Sequence, residues 1–194
     1  FLPYFPFSKH AHLFMVPLNI MASENRRSMA AIETIDFENE DLDQFGAGQI
    51  QHLPQTQLLD GYACIQCSRC QDACPAYETG KELSPSALEI NKRYFINDNI
   101  STLANGESID KALTDWMLTE EAAWSCTTCG YCVEVCPVGN EPMIDILRAR
   151  QNLVMMESNF PKDAMETFEK MENYGNTWGL SPPDRETWID GLDV

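Results

Sequence analysis

The chain has 194 residues, 44% hydrophobic and 22% charged, a globular composition that excludes wholesale disorder. Thirty acidic residues against 13 basic ones leave a formal net charge of −17, which excludes nucleic acid as a default partner. No run of about 18 apolar residues occurs, so these residues hold no complete membrane span.

Residues 1–21 read FLPYFPFSKHAHLFMVPLNIM, an apolar, aromatic arm broken by Pro3, Pro6 and Pro17, with Lys9 its one formal charge. It lacks the basic start and small-residue cleavage site of a signal peptide. Two readings stand side by side: an arm packed on the protein, or the exit of a membrane helix into the interface, where aromatics and lysine gather. His10 and His12 are read as solvated rather than as haem ligands. Because the first residue is Phe1 and not Met, the chain is expected to be part of a longer or processed one. Residues 22–58 read as an extended acidic linker with room for a short strand or two. They carry Glu33, Asp36, Glu38, Glu40, Asp41 and Asp43, a solvated charge run, before the turn signals Gly46 and Gly48.

A folded module is expected over residues 59–160. Ser84 before Pro85 is a helix start, predicting a helix from Pro85 to about Ile96. Asn97, Asp98 and Asn99 favour a turn, and Asn105-Gly106 a second. Ile109 to Leu118 reads as another helix, and Thr119-Glu120-Glu121 as a capped turn leading to Trp124. Asn140 can cap a helix with Pro142 in its first turn. Met143, Ile146, Leu147, Leu153 and Val154 carry it to about Glu157. Residues 161–194 hold one more helix, striped by Met165, Phe168 and Met171 and stopped by Gly175. The methionines read as core filler. Trp178, Pro182, Pro183 and Trp188 mark a connector of undefined shape.

Eight cysteines punctuate this module, and none is left over. Cys64, Cys67, Cys70 and Cys74 precede Pro75; Cys126, Cys129, Cys132 and Cys136 precede Pro137. Each set reads C-x2-C-x2-C-x3-C-P, the bacterial ferredoxin run, whose fourth cysteine ligates the other cluster. Three thiolates spaced by two residues wrap three corners of a cubane. The x3 spacing carries the fourth away, and the proline turns the chain out of the site. The spacing therefore predicts two [4Fe–4S] clusters: one on Cys64, Cys67, Cys70 and Cys136, the other on Cys126, Cys129, Cys132 and Cys74. Zinc knuckles use paired C-x2-C without this run, and cysteines three apart pair poorly as disulfides. The intervening segment reads as helical, so the expected fold is mainly α. It is a helical ferredoxin with two cluster-binding loops, preceded by an extended arm, the two motif–helix units forming an internal repeat.

The segments CIQCSRCQDACPAYETGKELSP and WSCTTCGYCVEVCPVGNEPMIDILRARQNLVMME resemble the helical-ferredoxin domain of heterodisulfide-reductase-type iron–sulfur proteins. Heterodisulfide reductase and glycolate oxidase each have an iron–sulfur subunit that shares this module. The whole chain looks closest to membrane-bound fusions of the group. These join a cytochrome-b-like domain, similar to the gamma subunit of nitrate reductase, to this module and to cysteine-rich CCG domains. The arm PFSKHAHLFMVPLNI resembles their exit from the last membrane helix, and the C-terminal connector resembles the link to the CCG domains. No CCG motif and no haem-bearing helix is among these residues. The resemblance implies electron transfer between a flavoprotein or thiol/disulfide site and a haem/quinone site. Haem b and flavin would sit in other regions or partners, and the partners would be electron-transfer flavoprotein or heterodisulfide-reductase-like subunits. Attachment would come through an upstream membrane region, and thiols that must stay reduced place the module on the cytoplasmic side of the cell membrane. The alternatives are a soluble electron-transfer subunit of a heterodisulfide-reductase-like or glycolate-oxidase-like complex, and a non-catalytic iron–sulfur sensor. No nucleophile triad, phosphate loop or nicotinamide fingerprint is present, so no catalytic residue is expected in this segment.

Overall fold

A computed structural model describes residues 3–22, 34–39 and 42–191. Among them all regular structure is helical, and the one β-type pairing is an isolated antiparallel bridge between Gln49 and Ala112. Residues up to Glu157 form one compact unit and those from Ser158 a second.

Local chemistry accounts for most helix starts. The two long helices of the first unit are α5 (Pro85–Asp98) and α9 (Pro142–Met155), each opened by proline. Ser84 caps α5, its Oγ accepting from the Ala87 amide at 3.1 Å. Thr119 caps α7 (Glu120–Ser125) in the same way through the Ala122 amide. Four further helices complete the ferredoxin-like part: α2 (Gln55–Ala63), α3 (Arg69–Asp72), α4 (Pro75–Glu78) and α8 (Tyr131–Glu134). A short α6 (Ile100–Ala104) follows α5 after a single-residue break at Asn99. The helix therefore runs two residues beyond its expected end at Ile96 and breaks at Asn99, the last residue of the expected turn. Leu83, Leu88, Leu113, Met117, Ile146 and Leu153 form the core, all almost wholly buried around Cys74. Each such side chain contributes roughly 1.5–3 kcal/mol on leaving water.

The arm is itself helical rather than extended. Two 3-10 turns, Phe5–Phe7 and Lys9–Ala11, lead into α1 (His12–Ala22), which tolerates Pro17 inside it and packs along α2. Among the described residues no helix is long and apolar enough to cross a membrane. The end of the linker also departs from the expectation. Residues 42–49 are irregular, Ile50–His52 is a 3-10 turn, and α2 begins at Gln55. Gly46 explains how this segment lies on α9. Its φ is +71°, and a Cβ there would stand 2.6 Å from the Asn152 amide nitrogen. Asp36, Glu38 and Asp43 are exposed, as a solvated charge run requires; Glu33, Glu40 and Asp41 lie outside the described residues.

The helix expected over Ile109–Leu118 does not form. Ala112 pairs with Gln49, and the Leu113 amide donates to the Gly48 carbonyl at 2.8 Å, leaving only a 3-10 turn at Leu113–Asp115. Burial of Leu113 and Met117, and the stacking of Trp116 on Phe95 (centroids 3.9 Å apart), outweigh local helical preference. In the second unit α10 (Lys162–Tyr174) ends at Gly175 in the left-handed region (φ 68°), as its sequence predicts. Its stripe of Met165, Phe168 and Met171 is half exposed, not core.

Candidate metal centre

The two cysteine loops share one backbone design. A helix enters each, α2 before Cys64 and α7 before Cys126. The residue two after each first cysteine turns left-handed, Gln66 at φ 55° and Thr128 at φ 53°. The residue before each short helix does so again, Ser68 at φ 60° and Gly130 at φ 74°. These reversals point amides at sulfur. The Gln66 N–H donates to Cys64 Sγ and the Thr128 N–H to Cys126 Sγ, both at 3.4 Å. Then α3 and α8 carry Cys70 and Cys132 away from the loop tips. Cys74 with Pro75 and Cys136 with Pro137 close the runs, and the Asn140 N–H donates to Cys136 Sγ at 3.3 Å.

Ser68 takes a conformation that costs a residue with a Cβ about 1 kcal/mol, while its counterpart Gly130 takes it freely. Ser68→Gly should therefore stabilise the protein by up to about 1 kcal/mol and Gly130→Ala should cost about as much. Urea denaturation of the iron-loaded protein reads both, and opposite signs at the two positions are required.

The thiols surround two cavities. Cys64, Cys67, Cys70 and Cys136 line one, together with Ser86 and Glu89 of α5. Cys74, Cys126, Cys129 and Cys132 line the other, together with Met143 and Ile146 of α9. Cys132 borders both. Counted from Pro85 and Pro142, Ser86 matches Met143 and Glu89 matches Ile146, so the repeat holds residue by residue while the chemistry differs. Among the described residues no three His, Cys, Asp or Glu side chains close round one point as a single-ion site would. The sulfurs are instead spread around voids, the disposition a multi-iron cluster needs.

Burial pushes Cys64 up to about 11 and Cys70 and Cys132 up to about 12, and neighbouring sulfurs add to it. Without a cation among them these sulfurs hold their protons at neutral pH; binding iron displaces the protons. The neighbours cross between motifs. Cys136 acts on Cys64 and Cys70, while Cys74 acts on Cys126 and Cys132. Cys74 and Cys132 are buried; Cys67 and Cys129 are exposed, at the loop tips.

Around the first cavity lies a charged group that periodicity alone did not single out. Lys92 and Asp145, both wholly buried, pair at 2.5 Å, and Glu89 stands 3.2 Å from the same ammonium. Burial raises the Glu89 carboxyl well above its usual range despite Lys92. Asp60 on α2 is pushed up to about 6, by burial first, against the opposing Lys92 charge and the Asn19 hydrogen bond. Asn140 does not cap α9; Glu141 holds that position without a side-chain cap bond. The Asn140 side chain is buried and its Nδ2 donates to the Asp60 carbonyl at 2.6 Å. The visible signal for this group was the placing of Glu89 and Lys92 at helix positions that Ile146 and Ala149 fill in the other half. Near the second loop Arg150 donates from Nε to Ala123 O at 2.7 Å and from Nη2 to Cys126 O at 2.5 Å. His10 is exposed, and His12 is hydrogen-bonded through Nδ1 to the Lys9 carbonyl.

Residues 60–140 match the family described as a 4Fe-4S dicluster domain. Over 98% of its length the chain is 35% identical to a probable iron-sulfur-binding oxidoreductase, FadF, of Bacillus subtilis, covering 31% of that protein. Over its whole length it is 31% identical to an EtfAB:quinone oxidoreductase of Syntrophomonas wolfei, covering 30% of it. A probable membrane-anchored ferredoxin of Chromohalobacter salexigens is 26% identical over 84% of the chain, which covers 27% of that relative. The chain thus spans about a third of the length of the curated relatives it matches. No solved structure gives a significant match. These likenesses point to iron–sulfur electron transfer in general and not specifically to heterodisulfide reductase.

Proposed function

We propose, from the 4Fe–4S dicluster domain matched at residues 60–140 and from the iron–sulfur relatives, that this chain carries electrons through two cross-ligated [4Fe–4S] clusters within a membrane-associated oxidoreductase. The carrying observation is that each cavity gathers three cysteines of one motif and the fourth of the other, with Cys132 bordering the first cavity as well as its own. A [4Fe–4S] cubane accepts and releases single electrons. The chain's own residues bind it, orient it and exclude water from it. Cys64, Cys67, Cys70 and Cys136 would hold one cluster and Cys126, Cys129, Cys132 and Cys74 the other. Amides of Gln66, Thr128 and Asn140 donate to ligand sulfurs, which stabilises their negative charge. Core side chains around Cys74 and Cys132 keep those sulfurs from solvent, whereas Cys67 and Cys129 lie where a partner can approach.

The name of the Syntrophomonas relative supports a path from electron-transfer flavoprotein to quinone, and that of the Chromohalobacter relative supports membrane anchoring. We assign the module to the cytoplasmic side of the cell membrane, attached through its apolar arm and an upstream region. An acidic body of net charge −17 would be repelled by anionic lipid, which favours hydrophobic over electrostatic attachment. Haem b and flavin have no support in the comparisons and are assigned to no residue of this chain.

Purified under anaerobic conditions, the protein should contain about eight iron and eight sulfide. Electrons should pass from reduced electron-transfer flavoprotein through it to a quinone when the native full-length protein is used. Two zinc without sulfide would refute the iron–sulfur reading. Failure to reoxidise with quinone, while the iron content holds, would refute only the proposed path.

A further inference from the structure

The two cavities are built by the same repeat, yet among the described residues only the first is wired to the arm. Asn19, 2% exposed in the middle of α1, donates from Nδ2 to Asp60 Oδ1 at 2.7 Å. The other oxygen, Asp60 Oδ2, accepts from the Glu141 amide at 3.1 Å, and the Asp60 carbonyl accepts from Asn140 Nδ2 at 2.6 Å. Asn140 in turn donates its amide to Cys136 Sγ. A path of buried and part-buried hydrogen bonds, linked through Asp60 and Asn140, therefore runs from the arm to one ligand sulfur. Removing its first member leaves a buried carboxylate oxygen without its donor.

The second half lacks this device. The residue in the second cavity that matches Asn140 is Leu83, and the position on α7 that matches Asp60 is Ala122. Neither side chain can donate or accept a hydrogen bond. The arginines diverge in the same sense. Arg150 on α9 holds the carbonyls of its own loop entry, Ala123 and Cys126. Arg93, at the matching position of α5, is 1% exposed and instead donates through Nη2 to the carbonyl of Ser8 in the arm. In the first half, the arm takes a place that the second half fills from its own loop.

We propose that the arm is part of the first centre: Asn19, acting through Asp60 and Asn140, is a positioning residue that sets how Cys136 is presented to the cluster held by Cys64, Cys67 and Cys70. This rests on the cross-ligated reading. It makes the first cluster the one that registers whether the arm is docked, and so the one electrically joined to whatever the arm attaches to. The second cluster is then the one facing the other redox partner.

The test compares the full chain with Asn19→Leu and Asp60→Asn. Leucine keeps the branched shape of Asn19, at a larger volume, without its donor, and asparagine leaves position 60 with one acceptor oxygen where two are used. Cys67→Ser and Cys129→Ser identify which paramagnetic signal belongs to which loop. The readout is a redox titration followed by electron paramagnetic resonance, with iron content alongside. Both variants should shift the line shape and midpoint potential of the signal altered by Cys67→Ser, or lose that signal alone with about half the iron. The signal altered by Cys129→Ser should stay unchanged. Two unaltered signals, two signals shifted together, or loss of both would overturn the proposal. Iron near four in the unsubstituted protein would instead overturn the two-cluster reading beneath it.

Discussion

Replacing Cys74 by serine should damage the cluster on the second motif and spare the one nearer to it in sequence; Cys136→Ser should do the converse. Cys74 shares its cavity with Cys126, Cys129 and Cys132, and Cys136 shares the other with Cys64, Cys67 and Cys70. Each is an electrostatic neighbour of the opposite motif's sulfurs. A serine oxygen is a poorer ligand for iron in a cubane than a thiolate, so each variant should lose up to about half of the eight iron or show one altered signal of two. Iron analysis with electron paramagnetic resonance decides it. Cys74→Ser and Cys67→Ser must alter different signals. If they alter the same one, each motif holds its own fourth ligand and the crossing is wrong.

Lys92→Met should be the most destabilising single change away from the cysteines. The Lys92 side chain is fully buried, and its ammonium meets Asp145, Glu89 and Asp60. Burial alone would lower its pKa, but the three carboxyl groups reverse that and raise it. A lysine raised in this way contributes its full stabilisation below the unfolded value and loses it only as pH climbs beyond the raised one, so it stays charged across the neutral range. Taking it away leaves buried carboxylates without a counter-charge, at a cost of about 3–5 kcal/mol. Replacing the whole group together, Lys92→Met with Glu89→Gln and Asp145→Asn, should recover most of the loss, since neutral partners need no counter-ion. Urea midpoints of the iron-loaded proteins measure both. A cost under about 1 kcal/mol for Lys92→Met would show that solvent reaches the group.

Within the sequence, short-range chemistry settled most of what is local. The spacing of Cys64 to Cys74 and of Cys126 to Cys136 announced two equivalent loops. Ser84 with Pro85 and Gly175 marked helix ends that form where expected, and Thr119, read as the cap of a turn, caps a helix. Each of those signals acts within about one helical turn, so a single stretch of chain carries it entire. The tertiary structure alone decided the rest. Ile109–Leu118 has a helical pattern, but Gln49 and Gly48 claim its backbone from far upstream. Asn140 looked like a cap and became a link between α2 and Cys136, because its partner Asp60 lies on another element. Lys92 and Asp145 lie on separate long helices, and only the packing of α5 on α9 buries them together. Which cavity has a carboxyl side chain in its wall was likewise invisible until the repeat placed Glu89 opposite the role of Ile146. Composition and spacing specify the groups that iron needs, whereas the field around each site comes from charges brought together by folding, which no local pattern encodes.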